Sequence, residues 1–401
     1  MHHWRQFAIC LGLCLLTTAT VFAKEFSAVP VFEAGQDGYN VYRIPAMIKA
    51  ANGDLLVFCE ARVGGDASEI DLVLKRSTDS GKTWGPLQVV QESSDFQSYF
   101  PQDAKVDITI GNPCPVVDHM DPDHAGRIWL PFNLENDRVF VTYSDDHGQT
   151  WAKRRDITKD VKLEGWGWYA TGPVHAIQIQ RGPHKGRLVV PADHRIGKPG
   201  QDRGVNGVQV VISDDHGQTW KLGAVDDSYD DGLNSNETTV VELNDGSLYF
   251  NTRDQHGSAP GTRGGTISRD GGETFEKSTD SKHSPFVPVL DPIDPPVVQC
   301  ALLRAASKLD GDKQNLILFS GPDESGPTGK GRSDMRIRYS TDEAKSWQDG
   351  PLIYTGPAAY SDMVKLAPNT FGIVFESDKP GGKLYTRIQF TRFTTQDVLG
   401  Q

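Results

Sequence analysis

The chain has 401 residues, with 41 Lys plus Arg against 53 Asp plus Glu and a formal net charge of -12. A surface of that sign repels nucleic acid and anionic membranes, so neither is expected as a partner. With 37% hydrophobic residues, 41 Gly and 24 Pro, the chain can bury a sizeable core but needs many turns, which excludes a helical bundle or coiled coil and points to strands.

Residues 1–23 read as a secretory signal peptide: Arg5 beside His2 and His3, an apolar run from Phe7 to Leu16, then short residues up to Ala23 before Lys24. That run falls short of the about 20 residues a membrane span needs. The expectation is a mature chain of residues 24–401, secreted or periplasmic, with no stable membrane insertion. Cys10 and Cys14 leave with the leader. Cys59, Cys114 and Cys300 remain, scattered, and read as small core residues of which at most one pair could bridge.

Strand-like segments then alternate with turns to the end of the chain. A phrase of the form Ser-x-Asp-x-Gly-x-Thr-Trp begins at Ser77, Ser144, Ser213, Ser268 and Ser340, each time after an alternating apolar run such as Asp71 to Arg76 or Arg138 to Tyr143. Its Asp can accept turn amides, its Gly supplies a backbone angle other residues resist, and its terminal aromatic is free to bury itself against the strands of its own unit. In the last copy Ala344 stands where Gly is expected, which predicts a distorted turn. Between these copies lies a second phrase, a Gly-bearing turn, an apolar strand and then polar residues. Gly53 leads to Glu60 and Arg62, Gly126 to Asn133, Gly186 to Asp193 and Arg195, Gly246 to Arg253, and Gly372 to Glu376. If equivalent strands run the same way, these polar ends gather on one face of a radial assembly. The turn phrases are spaced by about 55 to 72 residues, longer than the about 40 to 45 of the shortest propeller blades, so the mature chain predicts one all-β domain, a six-bladed β-propeller.

Arg43, Arg62, Arg253 and Arg332 lie in separate units, and guanidinium groups converging on one point would suit a carboxylate, because each donates paired hydrogen bonds in a planar fork. Asp118, His119, Asp121, Asp123 and His124 could hold a metal, but before Gly126 they read better as a solvated turn. Trp166, Trp168 and Tyr169 read equally as a pocket rim or as strand packing. Asn236-Glu237-Thr238 matches a glycosylation acceptor, an accidental match if the segment lines a site. No cofactor or metal is called for.

The Tyr42-Arg43-Ile44-Pro45 segment, the five Asp-box turns, Asn112-Pro113-Cys114-Pro115, Ala170 to His175, Glu237 before an apolar strand leading to Arg253, and Ala358-Ala359-Tyr360-Ser361-Asp362 together resemble the bacterial exo-α-sialidase family with Asp-box (BNR) repeats. They span almost the whole mature chain in family order. The resemblance implies a six-bladed propeller with its site on the axis, on the face away from the Asp-box turns. It puts the carboxylate-binding triad on Arg43, Arg253 and Arg332, a fourth pocket arginine on Arg62, and the carboxylate that directs the first arginine on Glu376. It puts the general acid/base on Asp66, with Glu69 and Asp71 as competing carboxylates, the nucleophile on Tyr360 and its activating base on Glu237. A neutral phenol suits a reacting carbon that already bears a carboxylate, which would repel an anionic nucleophile. The implied activity is retaining hydrolysis of terminal α-linked sialic acid from glycans by a monomeric enzyme. A non-catalytic sialic-acid-binding propeller, and a hydrolase or transglycosylase for a related 2-keto sugar acid, stay open as alternatives.

Overall fold

The computed structural model describes residues 24–101, 106–198, 204–229, 232–257, 261–279, 285–290, 292–329 and 331–400. The expected leader, 1–23, lies outside the described residues.

Gly- and Asp-rich turns between short apolar runs give consecutive antiparallel strands, so each sheet is a meander. The first sheet pairs Val41–Lys49, Leu55–Arg62, Ile70–Ser77 and Gln88–Gln91. The second is built on Arg127–Leu134 and Arg138–Ser144, the third on Trp166–Thr171, Leu188–Ile196, Asn206–Ser213 and Lys221–Val225, and the fourth on Ser235–Glu242, Leu248–Asp254 and Arg263–Ser268. The fifth has seven strands and contains Gln348–Ala367, a strand of 20 residues. Its first half pairs Ser333–Ser340 and its second half pairs Thr370–Ser377.

Apolar alternation closes these sheets into a propeller-like ring, because each core cluster is shared by neighbouring sheets. Phe58 and Leu56 of the first sheet pack with Ile128 and Leu130 of the second, and Trp129 and Val139 of the second with Leu188 and Val211 of the third. Val208 and Val210 of the third meet Val240 and Phe250 of the fourth, and Val241 and Tyr249 of the fourth meet Leu302 and Phe319 of the fifth. The circuit is completed by Val31, Phe32, Val374 and Phe390, which pack with Tyr42, Val57 and Val73 of the first sheet. The strand Ala28–Glu33 contributes to that closure by pairing with Arg387–Thr394 near the other end of the chain.

The Asp-box turns hold the hydrogen bonds that their residue types imply. In the first, Asp79 accepts the amides of Lys82 and Thr83, while the Ser77 hydroxyl accepts the Gly81 amide. Two expectations about these turns are corrected. The terminal aromatic reaches the neighbouring sheet more often than its own: Trp84 meets Phe390, Trp151 meets Phe58 and Trp220 meets Trp129, all edge-on. A Cβ at Gly81 or Gly217 would overlap the Phe390 or Trp129 ring, so the turn itself is part of the seam between sheets. The turn with Ala344 is not distorted. Ser340 still accepts its amide at 3.0 Å and Asp342 still accepts the Ser346 amide at 2.9 Å, with Ala344 held at φ +62° in place of a glycine. All three cysteines of the described chain are buried and unpaired, which leaves them as small core residues. No helix of the described residues is long and apolar enough to cross a membrane.

Candidate functional site

Within each sheet the Asp-box turn and the polar strand end fall at opposite ends. Leu55 pairs with Ser77 while Arg62 pairs with Ile70, and Leu248 pairs with Ser268 while Arg253 pairs with Arg263. The polar ends therefore share one face, and a cavity of about 410 Å³ opens there, lined by residues of four sheets and by residues that flank the strands of the second. It brings together Arg43, Arg62, Asp66, Glu237, Arg253, Arg332 and Tyr360. Glu376 lies beneath it, fully buried.

Arg43 is aimed into the cavity by an irregular stretch of strand. The pairing shifts register between Arg43 and Ala46, and Ile44 sits at φ +60°, a strained angle for a β-branched residue. Glu376 holds that stretch: it accepts Arg43 Nε at 2.6 Å, Arg43 Nη2 at 3.3 Å and the Ile44 amide at 2.8 Å. It also accepts the Tyr360 amide at 3.2 Å, so one buried carboxylate positions both the arginine and the phenol.

Tyr360 donates its hydroxyl to Glu237 Oε1, and Arg253 Nη1 bridges the pair, 2.7 Å from Glu237 Oε2 and 3.1 Å from the Tyr360 oxygen. Burial, followed by the negative charge of Glu237, pushes the Tyr360 phenol well above its usual range, against the opposing pull of Arg253, Arg43 and Arg332. The phenol is thereby held neutral, with its hydroxyl directed at Glu237. Arg332 closes one wall, donating Nη1 to Tyr385 at 2.8 Å and Nη2 to the Val297 carbonyl at 2.8 Å, with its guanidinium 5.7 Å from the Tyr360 ring centroid.

Arg62 donates Nε and Nη2 to Glu60 at 2.9 and 2.5 Å, and Nη1 to Asp66. The Asp66 side chain is 87% exposed at the mouth, whereas Glu376 and Tyr360 are enclosed. Partial burial would raise its carboxyl, but Arg62, and then Arg43 and Arg332, bring it below the usual carboxylate range. Of the competing carboxylates, Asp71 is occupied within its sheet, accepting the Tyr39 hydroxyl at 2.6 Å and the Ser93 amide at 2.7 Å, and Glu69 does not line the cavity.

The aromatic cluster divides: Trp168 lines the cavity with the Arg195 guanidinium 4.2 Å from its ring centroid, while Trp166 and Tyr169 are buried in the core. Asn236 is 3% exposed within a strand, so its glycosylation match is accidental. The expected solvated turn at Asp118 to His124 is corrected in part. Asp118 and Asp121 are buried, accept the amides of Met120, Asp121, Asp123 and His124, and lie with His216 in one cluster. Arg195, Glu135, Gln255 and Glu60 are among the cavity residues that lay outside the sequence reading as site residues. Arg195 and Glu60 were visible as polar strand ends. Tyr385, stacked on Arg43 at 3.9 Å, follows a Gly-Gly loop and carries no local signal at all.

A family model described as a BNR repeat-like domain matches residues 51–373. The chain belongs to that family. Among curated relatives, a sialidase of Micromonospora viridifaciens is 30% identical over 90% of this chain and 52% of its own length. Sialidase-3 of Homo sapiens is 26% identical over 92% of this chain and 93% of its own. The chain thus spans about half the length of the bacterial relative and nearly all of the human one. Among solved structures, a Hadza microbial sialidase superposes with a TM-score of 0.74 at 26% identity, covering 93% of this chain and 69% of that one. An intramolecular trans-sialidase from Ruminococcus gnavus shares the fold, with a TM-score of 0.70 at 19% identity over 92% of this chain and 98% of that one.

Proposed function

We propose that this BNR-family chain is an exo-α-sialidase that removes terminal α-linked sialic acid from glycoconjugates with retention of configuration. The observation that carries the reading is the Tyr360–Glu237 hydrogen bond, bridged by Arg253, inside a cavity that also receives Arg43 and Arg332. Of the five buried or half-buried arginines around the cavity, Arg43, Arg253 and Arg332 would hold the substrate carboxylate by charge-assisted hydrogen bonds and place the anomeric carbon over the phenol. Tyr360 Oη bonds to that carbon while its proton passes to Glu237 Oε1. The bond to the glycosidic oxygen breaks as Asp66 delivers a proton to it. Water then attacks the same carbon, loses a proton to Asp66 and displaces Tyr360, which recovers its proton from Glu237. Two displacements at one carbon give retention.

In the same reading, residues 24–401 form one catalytic domain of six blades, because the seven-stranded sheet divides at Gln348–Ala367 into two units that share that strand. The enzyme works as a monomer on sialylated glycans outside the cytoplasm, after loss of residues 1–23. Glu237 held against Tyr360 favours hydrolysis over sialic-acid binding without catalysis, since a lectin has no use for a base on its tyrosine.

The test is turnover of a fluorogenic α-sialoside by the protein and by Tyr360→Phe, with unrelated aryl glycosides as controls. Turnover of the sialoside alone, falling at least about 100-fold in the variant, is expected for a lost nucleophile, an effect of about 2.7 kcal/mol or more on the barrier. Saturable sialic-acid binding with no turnover would replace the enzyme by a lectin.

A further inference from the structure

Asp193 is a buried carboxyl for which the proposed reaction has no use. It lies in Leu188–Ile196, paired with Ala170 on one side and Val208 on the other, and none of its surface is exposed. The strand alternation puts Asp193 on the same face as Arg195, which lines the cavity, and this strand lies against Ser235–Glu242, which carries Glu237. Neither Asp193 oxygen has a hydrogen-bond partner among the described residues. Nearby, Arg253 Nε is also buried and unpartnered.

An ionised carboxyl in that setting would be an uncompensated buried charge, the costliest state a side chain can occupy. The charged groups around it are Glu237 on Ser235–Glu242, Arg253 on Leu248–Asp254 and Arg195 on its own strand, with the Tyr169 phenol on Trp166–Thr171. His194 points to the other face, where its ring nitrogens meet Gln209 Oε1 at 2.6 Å and the Tyr229 hydroxyl at 2.8 Å. Burial first, and then Glu237, drive the Asp193 carboxyl well above the carboxylate range, and Arg195 and Arg253 offset this only in part.

We propose that Asp193 is a positioning residue, held as a neutral carboxylic acid behind the Tyr360–Glu237 pair, so that the Arg253 charge stays committed to that pair and to the substrate carboxylate. Ionisation of Asp193 would give Arg253 a second buried anion to serve and draw its guanidinium from the bridge. The catalytic part of this inference rests on the sialidase reading; the neutrality of Asp193 does not.

The experiment is Asp193→Asn, which keeps the shape of the neutral acid and removes its ability to ionise. A carboxyl that is neutral when folded and ionised when unfolded costs stability above the unfolded value of about 3.9, and the cost grows as pH rises to the folded value. Asparagine carries no such cost. The melting temperature of Asp193→Asn minus that of the parent should therefore widen by about 3 °C or more between pH 4.5 and pH 8. A constant or narrowing gap would show that Asp193 is a satisfied anion and would overturn the proposal. With a fluorogenic α-sialoside, the ratio of kcat/KM at pH 9 to that at pH 5 should rise at least about threefold in the variant, and an unchanged ratio would end the positioning role. If the parent does not turn over the sialoside, the function fails while the melting data still decide the state of Asp193. Asp193→Ser goes through the same scans if the asparagine variant does not fold.

Discussion

Ile44 stands at φ +60° because Arg43 has to leave the plane of its sheet, and such an angle costs a β-branched residue about 1 to 3 kcal/mol. The Glu376 carboxylate offsets that strain by taking the Ile44 amide and the Arg43 fork together. Side chains fixed in this way tolerate little change. Arg253 shares Nη1 between Glu237 and Tyr360, and lysine offers a point charge where a planar fork is needed. Arg253→Lys should lower kcat/KM on a sialoside by roughly 10- to 150-fold, the equivalent of about 1.5 to 3 kcal/mol for a charged hydrogen bond. An unchanged kcat/KM would remove Arg253 from carboxylate binding. Asp66 poses a different problem, because its pairing with Arg62 favours the anion while the first step of the proposed reaction needs the acid. Its proton is then available on the acid side of neutrality, so natural glycosides should be cleaved best there. Asp66→Asn should depress hydrolysis of a natural glycoside by at least about tenfold more than that of an aryl sialoside, whose leaving group needs less protonation. Equal losses on the two substrates would argue against the acid role.

Three of the strands that line the cavity break their ladders at a residue that reaches it. The register shifts fall between Arg43 and Ala46, between Ser235 and Thr238 around Glu237, and between Ala358 and Ser361 around Tyr360. A bulge turns one residue out of strict alternation, which is how strands that also bury apolar faces can aim polar groups at the ring axis. The Asp-box turns do the opposite work at the far end, pinning each hairpin to its neighbour. The fifth copy does so at a cost, since Ala344 holds a left-handed angle that glycine adopts freely in the other four. Ala344→Gly should raise stability by about 0.5 to 1 kcal/mol, the left-handed penalty less the extra entropy of glycine. Chemical denaturation would measure it, and a loss of stability would mean that the Ala344 methyl packs for more than the strain it brings.

A ring of sheets leaves no apolar sheet face uncovered only if its first and last sheets meet, and here Val31 and Phe32 pack with both the last strands and the first sheet. The molecule is acidic, at -12, yet its axial cavity gathers Arg43, Arg62, Arg195, Arg253 and Arg332, so the field that would draw an anion is local and enclosed. The Asp-box carboxylates link the ring to pH. Against its partial burial, the hydroxyl and amide of Thr150 hold Asp146 at about 2, and the carboxyls of Asp79, Asp215, Asp270 and Asp342 are lowered in the same way. Groups depressed in the fold add stability that is complete above the unfolded value of about 3.9 and is lost as pH falls towards 2. In Asp193→Asn, which lacks the opposing pH trend of that buried acid, melting temperature should be flat from pH 7 to 5 and fall steeply between about pH 4 and 2; a flat profile to pH 2.5 would show that these turns do not carry the acid response. The all-β architecture, the hairpin turns and the segregation of polar strand ends to one face were legible from the sequence, because turn chemistry and two-residue alternation are local and each acts within a few residues. Arg253 was legible as a polar strand end, and Arg43 and Arg332 as arginines of separate units, whereas Tyr360 and Glu237 were legible only through a resemblance of ordered motifs. Glu60 beneath Arg62, Tyr385 stacked on Arg43, Trp168 beneath Arg195 and the unpartnered Asp193 were settled only by the tertiary structure. Each depends on which sheets become neighbours and where their ladders slip, and burial and charge at the axis are sums over segments hundreds of residues apart.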